Sequence, residues 1–259
     1  MAEYWYETHL HTCIASACAR STGKEHVRWY KEHGYTGIFV TDHFWGGNTA
    51  IPRDLPWEEW VDRFCGGYED AWEEGQKVGL DVFFAWEETF RGDDYLVYGL
   101  DRAWLKEHPE VRTWSRREQY ETVRRDGGCV IQAHPFRDRD YIPRILLNRA
   151  WVDGVEVANA GNDPVNDVYA RNYARQLGLY ETAGSDNHLS HEGSTTYGVA
   201  LSRRLTSPAD WVDIILRREP IRLLVPEKRF RPAPDMRHLE SFWLDDREQP
   251  VPTGLDWMQ

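Results

Sequence analysis

The sequence predicts an α/β fold in which helices alternate with the strands of one parallel sheet or barrel. Apolar, β-rich runs alternate with helical stretches along most of the chain. The chain has 259 residues, 41% of them hydrophobic, which is enough for one large core, so we expect a single domain over residues 1–259. Histidines and carboxylates stand where the predicted strands end, which is typical of a site at one face of a barrel.

The first half of the chain contains four predicted strands and two predicted helical regions. A strand near residues 4 to 9 precedes the helix "TGKEHVRWYKEHG", which begins at a capping box of Thr22 and Glu25 and stops at Gly34. The strand "YTGIFVT" follows. The stretch "WEEWVDRFCGGYEDAWEEGQKVG" favours a helix that its paired glycines can break, and it leads into the strands "LDVFFAWE" and "YLVYGL".

The second half continues the alternation and ends in a different kind of segment. The helix "SRREQYETVRRDGG", with a capping box of Ser115 and Glu118, precedes the strand "CVIQAH". The strand "GVEVAN", a helix over about 164 to 177, and the strands "YETAGSD" and "YGVAL" follow. Residues 226–259 contain five prolines, so we expect an irregular C-terminal tail packed on the domain.

The overall charge indicates which partners to expect. Basic residues number 31 and acidic residues 43, giving a net charge of −12, so we expect no nucleic acid polymer as a partner.

The start of the chain does not resemble a signal sequence and no apolar run approaches 18 residues, so we expect a cytoplasmic protein without a membrane span. The four cysteines are too few and too scattered for a disulfide framework, which favours reduced thiols.

Five predicted strand ends carry imidazoles or carboxylates. In a barrel, parallel strands deliver these ends to one face, and residues two apart on an extended strand share a side. Imidazole nitrogens and carboxylate oxygens are ligands that suit Zn²⁺, Mn²⁺ or Fe²⁺. The sequence therefore predicts a metal centre built from strand ends. The residues at those ends are His9 and His11, Asp42 and His43, Glu87 and Glu88, His134, and Asp186 and His188.

Each of these motifs also has an ordinary structural interpretation. A single H-x-H pair is more often a polar strand face than a metal site. His134, which precedes Pro135, can simply cap a strand, and "SDNH" has the composition of a common turn. We favour the metal centre because all five motifs occur at strand ends.

The motifs "HLHT", "TDH", "WEET", "AHP" and "SDNH", in this order, resemble the PHP (polymerase and histidinol phosphatase) phosphoesterases. The resemblance spans roughly residues 4 to 201, and the ordered set is far more specific than any one motif. It implies a distorted (β/α)7 TIM-like barrel with a metal centre at the C-terminal ends of the strands. It also implies two or three divalent metal ions, which we expect to be Mn, Zn or Fe.

The resemblance assigns eight residues to these metals. The first metal would be held by His9, His11, Glu87 and Asp186. Glu87 would bridge to a second metal, held by His134 and by Asp94, which stands where many relatives place a histidine. The third metal would be held by His43 and His188. Ala17 stands where many relatives have an acidic residue or histidine, and Cys18 beside it offers a thiolate, although a small buried thiol is its commoner role.

A centre of this kind is suited to hydrolysing phosphate esters. We therefore expect a metal-dependent phosphatase that acts on a small phosphomonoester, a phosphorylated metabolite or nucleotide, through a metal-activated hydroxide. Glu87, His134 and Asp186 are the expected catalytic residues.

Three other residues are predicted to contact the substrate or orient it. Arg20 and Arg137 are expected to bind the phosphate oxygens, because a guanidinium matches them in bidentate fashion. Asn159 is expected to orient the substrate or a ligand. The alternatives are solvated surface charges for the two arginines and a turn residue for Asn159.

Two other functions are compatible with the motifs. One is a phosphodiesterase or nuclease, although the acidic composition lacks the basic stripe that polymer binding requires. The other is a non-catalytic metal-binding regulatory domain, in which Ala17 would mark the loss of activity.

Overall fold

The computed structural model describes residues 3–140, 142–232, 234 and 236–258. In this part of the chain the α-helices are α1 (Gly23–Glu32), α2 (Trp57–Phe64), α3 (Gly66–Val78), α4 (Arg102–Glu107), α5 (Arg116–Arg125), α6 (Pro164–Leu177) and α7 (Pro208–Leu216). The strands are β1 (Tyr4–Glu7), β2 (Gly37–Val40), β3 (Asp81–Phe90), β4 (Asp93–Tyr98), β5 (Cys129–Ala133), β6 (Ile145–Leu147), β7 (Gly154–Asn159), β8 (Tyr180–Gly184), β9 (Val199–Leu201), β10 (Arg222–Leu223), β11 (Ser241–Leu244) and β12 (Pro250–Pro252). Short 3₁₀ helices cover Pro109–Thr113 and Glu227–Phe230.

The main sheet curves into a nearly closed barrel. Its strand order is β10-β9-β1-β2-β3-β4-β5-β7-β8 among the described residues. A parallel bridge between Leu10 and Asn187 brings the chain beyond β8 back beside the chain beyond β1. The amide of His11 donates to the carbonyl of Asn187 at 2.9 Å, which supports this closure. The predicted fold class, a distorted TIM-like barrel, is therefore confirmed.

Two strands of the sheet run against their neighbours among the described residues. Strand β9 pairs antiparallel with β1 and β10. Strand β4 pairs antiparallel with both β3 and β5, whereas β1–β2, β2–β3, β5–β7 and β7–β8 are parallel pairs. The beginning of β4 therefore lies at the same face of the barrel as the ends of the parallel strands. This orientation places Asp94 opposite Ala133, directly before His134.

The helix boundaries follow the local signals in the sequence. Thr22 and Ser115 form the expected capping boxes with the glutamates three residues later. The helical region around Gly66 is interrupted, since α2 ends at Phe64 and α3 begins at Gly66. A Cβ atom at Gly67 would lie 2.0 Å from Thr12 Oγ1, so glycine at this position allows α3 to approach the loop after β1.

Much of the core consists of aromatic side chains. Inside the barrel, Phe39 contacts Phe83, Tyr98 and Trp211, and Trp211 belongs to α7, which covers one end of the barrel. Offset and edge-to-face ring pairs of this kind stabilise a core beyond the area that they bury. Several of the 13 tryptophans thus have a packing role. None of the described helices is long and apolar enough to span a membrane.

The C-terminal segment is more regular than expected. Strands β11 and β12 pair antiparallel, and β11 pairs parallel with β6, giving a small three-stranded sheet. The expectation of an irregular tail over residues 226–259 is therefore wrong for residues 241–252. Pro250 and Pro252 are tolerated because β12 is an edge strand, where a missing N–H breaks no ladder. Trp257 is buried against Phe136 and Tyr173.

Candidate metal centre

The barrel brings all eight predicted metal ligands into one cluster. Each has an imidazole nitrogen or carboxylate oxygen within 4.0 Å of such an atom of another member. They come from the loop after β1, the loop after β2, the hairpin of β3 and β4, and the loops after β5 and β8. The members are His9, His11, His43, Glu87, Asp94, His134, Asp186 and His188.

His9 and His11 face each other at the centre of the cluster. Their Nε2 atoms lie 3.1 Å apart, and both rings are fully buried. The Nδ1 atom of His9 donates to Glu156 Oε1 at 3.0 Å. The Nδ1 atom of His11 lies 3.3 Å from Ser16 Oγ, whose own hydrogen goes to Asp42. In neutral rings held this way, both Nε2 atoms are acceptors that face each other, and a cation is a suitable partner for both.

Glu87 lies between the imidazoles of the cluster. Its Oε1 atom is 3.3 Å from His9 Nε2 and 3.1 Å from His134 Nε2. Its Oε2 atom is 3.5 Å from His11 Nε2 and 2.8 Å from His43 Nδ1. One buried carboxylate therefore contacts four imidazoles, an arrangement that suits a ligand shared by more than one metal.

Asp94 lies beside His134, one of the four imidazoles that contact Glu87. The Oδ2 atom of Asp94 is 3.9 Å from His134 Nε2, and its Oδ1 atom accepts a hydrogen bond of 2.5 Å from Thr89. Burial and the nearby charge of Glu87 raise the pKa of Asp94. The resemblance assigned Asp94 and His134 to the same metal, and the antiparallel direction of β4 accounts for the position of Asp94 beside His134.

Two of the predicted ligands have backbone conformations that non-glycine residues rarely adopt. His134 has φ +26° and Asp186 has φ +53°. His134 directly follows β5, and Asp186 is the second residue after β8. At both points the chain turns across the cluster. Positive φ values of this kind are uncommon outside glycine and occur preferentially at functional sites.

The donor set fits divalent metal ions. His43 Nδ1 is buried and has no hydrogen-bond partner among the described residues, although it lies 2.8 Å from Glu87 Oε2. Three groups of side chains have ligand atoms that all lie within 4.8 Å of one another. These groups are His9, Glu87 and His134; His9, His11 and Asp186; and His11, His43 and His188. These groups overlap the three expected sites without reproducing them: none contains Asp94, His9 joins Glu87 and His134, and His11 joins His43 and His188. Imidazoles and carboxylates are mixed in the first two.

The electrostatics of the cluster favour positive charge at its centre. Burial disfavours protonation of His9, but the carboxylates of Glu156, Asp186 and Glu87 outweigh it and hold the pKa of His9 well above its usual range. Burial and the neighbouring imidazoles lower the pKa of His11 well below its usual range. The carboxylates around His9 thus attract a cation, while the imidazole of His11 stays neutral and available as a ligand.

Glu156 is part of the site, although the sequence analysis did not select it. It accepts hydrogen bonds from His9 Nδ1, from the His134 amide at 3.2 Å and from Asn159 Nδ2 at 2.8 Å. A Cβ atom at Gly184 would lie 2.5 Å from His9 Cβ and 2.6 Å from Glu156 Oε1, so only glycine leaves room for this pair. A carboxylate in the middle of the otherwise uncharged strand "GVEVAN" was the signal that could have identified it.

Arg137 and Asn159 lie beside Asp186. Arg137 Nη2 donates to Asp186 Oδ2 at 2.5 Å and to Asn159 Oδ1 at 3.0 Å, while its Nε donates to Asn162. The Arg137 side chain is 14% exposed and lines a cavity above the cluster. Asn159 is fully buried and bound to Glu156 and Arg137, so its position orients those side chains and does not line the cavity.

Arg20 does not lie with the other predicted site residues. Its backbone amide donates to the carbonyl of His188 at 2.7 Å, but the residue is exposed and is not among those that line the cavity. The cavity has a volume of about 690 Å³ and is bordered by Gly46, Gly47 and Asn48 in addition to members of the cluster. This volume lies within the range typical of pockets for small ligands, about 300–1,000 Å³.

Comparison with known proteins supports the fold. No protein-family model matches this sequence, and no curated protein does. Among solved structures, a two-domain protein from Bacteroides vulgatus containing a predicted PHP-like metal-dependent phosphoesterase aligns over 84% of this chain at 15% identity, with a TM-score of 0.61. A candidate metal-dependent phosphoesterase from Bifidobacterium adolescentis aligns over 82% of this chain and 96% of its own, at 15% identity and a TM-score of 0.53. PsfC from Pseudomonas syringae aligns over 89% of this chain and 95% of its own, at 17% identity and a TM-score of 0.56.

These similarities define the class of structure. This chain spans 64% of the length of the Bacteroides vulgatus protein. Identities this low show a shared fold and nothing more specific. The chain has the barrel fold of the PHP-like metal-dependent phosphoesterases, which is the fold that its five motifs predicted.

Proposed function

We propose that this protein is a PHP phosphoesterase that hydrolyses a small phosphomonoester with the help of two or three divalent metal ions. The observation that carries the proposal is Glu87, a buried carboxylate in contact with four imidazoles, one of which, His43, borders a cavity together with Arg137. The low identity of the structural neighbours leaves the reaction as a proposal based on the site.

The clustered side chains would hold the metals as the resemblance implies. His9, His11, Asp186 and Glu87 would hold the first metal, Glu87, His134 and Asp94 the second, and His43 and His188 the third. Bound divalent ions lower the pKa of water and stabilise charge on phosphoryl oxygens, which is the chemistry that phosphate ester hydrolysis requires.

The chain's own residues would bind and orient the phosphate. Arg137 Nη1 has no acceptor in the described part of the chain, whereas Nη2 and Nε are held by Asp186, Asn159 and Asn162. A guanidinium fixed on one side and free on the other is preorganised to donate to a phosphate oxygen. Arg20 remains a predicted phosphate contact, although its exposed position supports this role less well than the position of Arg137.

The cavity favours a small monoester over a polymer. Its volume of about 690 Å³ suits a phosphorylated metabolite or nucleotide. The net charge of −12 opposes the broad electrostatic contact that a nucleic acid polymer needs, while an anion inside the cavity responds to the local charge.

The test is phosphate release from a panel of phosphomonoesters, using protein stripped of metal and then reconstituted with Mn²⁺ or Zn²⁺. We expect metal-dependent release by the native protein and a loss of more than about 100-fold in His134→Ala, since replacing even a residue that supports a ligand typically costs 10–100-fold. His33→Ala is the matched control, because His33 is exposed on the opposite side of α1 from the barrel contacts and should leave activity unchanged.

Near-normal turnover in His134→Ala would contradict the proposed site. If metal is bound but no monoester is hydrolysed, the proposal is wrong, and cleavage of an oligonucleotide would then indicate a phosphodiesterase.

A further inference from the structure

The loop between β1 and α1 differs from the expected ligand pattern at Ala17. Ala17 is exposed, and its amide donates to the carbonyl of Asn48 at 2.9 Å. Ala17 is not among the residues that line the cavity beside the cluster. The next residue, Cys18, is the one whose side chain points inward.

The Cys18 sulfur lies among the imidazoles of the third group. Cys18 Sγ is 3.1 Å from His188 Nε2, and Cys18 borders the same cavity as His43 and His188. His188 Nδ1 donates to the carbonyl of Asp186 at 2.9 Å, which leaves Nε2 as the nitrogen that can bind a metal on the side of the sulfur. The backbone also joins these segments, since the Arg20 amide donates to the His188 carbonyl at 2.7 Å.

The imidazoles near Cys18 are a separate reason to expect an ion at this place. The ligand atoms of His11, His43 and His188 all lie within 4.8 Å of one another, which is a spacing that one ion can bridge. His43 Nδ1 is buried and lies 2.8 Å from Glu87 Oε2 without a well-aligned hydrogen bond in the described part of the chain. Three imidazoles therefore lie close enough to share one ion, and the cysteine sulfur lies beside one of them, His188.

We propose that Cys18 Sγ is a ligand of the third divalent metal, together with His43 and His188, and that it makes this site selective for zinc over manganese. The inference rests on the metal centre of the proposed function. It deepens that function because it gives one site of the centre a ligand set of its own.

The chemistry of the ligands accounts for the selectivity. A thiolate is a soft ligand that binds zinc well, whereas manganese and magnesium prefer carboxylate, carbonyl and water oxygens. Mixed cysteine and histidine sets are typical of zinc in proteins. The first and second groups contain only nitrogen and oxygen ligands, so their preference for zinc over manganese is weaker. The competing explanation is a plain S–H···N hydrogen bond between Cys18 and His188, and spectroscopy of a bound metal separates the two.

The experiment is a titration of metal-free protein with Co²⁺, followed by absorption spectroscopy. A sulfur ligand gives an intense near-ultraviolet charge-transfer band that nitrogen and oxygen ligands do not. We expect this band in the native protein and in Cys13→Ser, and its absence in Cys18→Ser. Cys13 is the matched control because it lies in the same loop, with its amide bonded to Ser21, and, unlike Cys18, it does not line the cavity.

Zinc stoichiometry provides a second measurement. We expect Cys18→Ser to bind zinc at the third site at least about 10-fold more weakly while keeping the other sites, because one ligand of that site is lost. Cys18→Asp should keep a third equivalent, lose the band and show a smaller preference for zinc over manganese. Equal thermal midpoints of the variants would show that the fold is intact, and Cys18→Asp keeps the test decisive if the serine variant is unstable.

The possible outcomes separate this inference from the proposed function. A charge-transfer band of equal strength in Cys18→Ser, or cobalt bound to the native protein without a band, overturns the role of Cys18 and leaves the metal centre standing. Failure of every variant to bind Co²⁺ or Zn²⁺ overturns both. A band that depends on Cys18, in a protein that hydrolyses no phosphomonoester, supports this inference and contradicts only the proposed reaction.

Discussion

At the scale of single residues, the centre depends on groups that orient the imidazoles as well as on the ligands themselves. The Oε1 atom of Glu156 accepts a hydrogen bond from His9 Nδ1 at 3.0 Å. Its Oε2 atom accepts from the backbone amide of His134 at 3.2 Å and from Asn159 Nδ2. The hydrogen bond at Nδ1 leaves His9 Nε2 to face the metals. Such partners fix the tautomer of a ligating histidine and raise its basicity.

Replacing Glu156 with glutamine should weaken metal binding without unfolding the protein. The amide has the same shape but lacks the negative charge that favours positive charge at His9, so we expect metal affinity to fall by about 10–100-fold. Isothermal titration with Zn²⁺ measures this change. Glu181→Gln is a control, because Glu181 lies on the neighbouring strand β8 but pairs with Arg171 and Arg175 away from the cluster. Equal affinities in the two variants would rule out the orienting role of Glu156.

At the scale of elements, Arg116 at the start of α5 connects three parts of the fold. Its Nε atom donates to Asp93 Oδ2 at 2.7 Å, at the start of β4. Its Nη2 donates to the carbonyl of Phe90 and its Nη1 to Glu248, in the turn between β11 and β12. Because β4 begins at the face that carries Asp94, this buried arginine holds both the C-terminal hairpin and the antiparallel strand of the site.

Truncating Arg116 should destabilise the protein far more than truncating its neighbour. Arg116→Ala leaves the buried carboxylate of Asp93 without its partner, a loss that typically costs about 3–5 kcal/mol. Arg117 is exposed and pairs with Glu121 on the helix surface, so Arg117→Ala should cost less than about 1 kcal/mol. Urea unfolding of both variants gives the comparison. A free energy of unfolding that is equal in the two would contradict the connecting role of Arg116.

The elements also show where prediction from local signals works. The capping boxes at Thr22 and Ser115 and the break before Gly66 could be predicted, because each depends on contacts within one turn of chain. The direction of β4 could not, since its apolar pattern is the same in either orientation. The pairing of β11 with β6 joins segments about 100 residues apart, and no local signal in the proline-containing segment indicates it.

At the scale of the whole molecule, the candidate metal centre lies where the barrel closes. Its expected ligands extend from His9 to His188 in the sequence, and the Leu10–Asn187 bridge joins the two segments that carry the first and the last of them. An ion that binds this arrangement binds the folded chain and has no equivalent site in the unfolded one. Metal binding should therefore stabilise the protein.

Removal of metal should lower the thermal midpoint. At free metal about 100 times the Kd, binding to the folded state contributes about 2.7 kcal/mol. For a chain of this size each kcal/mol changes Tm by about 2–4 °C, so we expect Tm to rise by about 5–10 °C when Zn²⁺ is added to protein stripped by a chelator. Differential scanning calorimetry provides the measurement. Asp186→Asn should lose most of the rise and His33→Ala should keep it; an unchanged Tm in the native protein would argue against the centre.

The sequence by itself determined the alternation of strands and helices and the placement of histidines and carboxylates at strand ends. Both are local properties, since periodicity and capping act over a few residues and strand ends are marked by the residues that follow them. The resemblance of its motifs also paired Asp94 with His134. Only the tertiary structure decided that Glu156 meets His9 and that Cys18 meets His188. These two contacts join residues 147 and 170 positions apart, so they depend on the closure of the barrel and the path of the loop after β1.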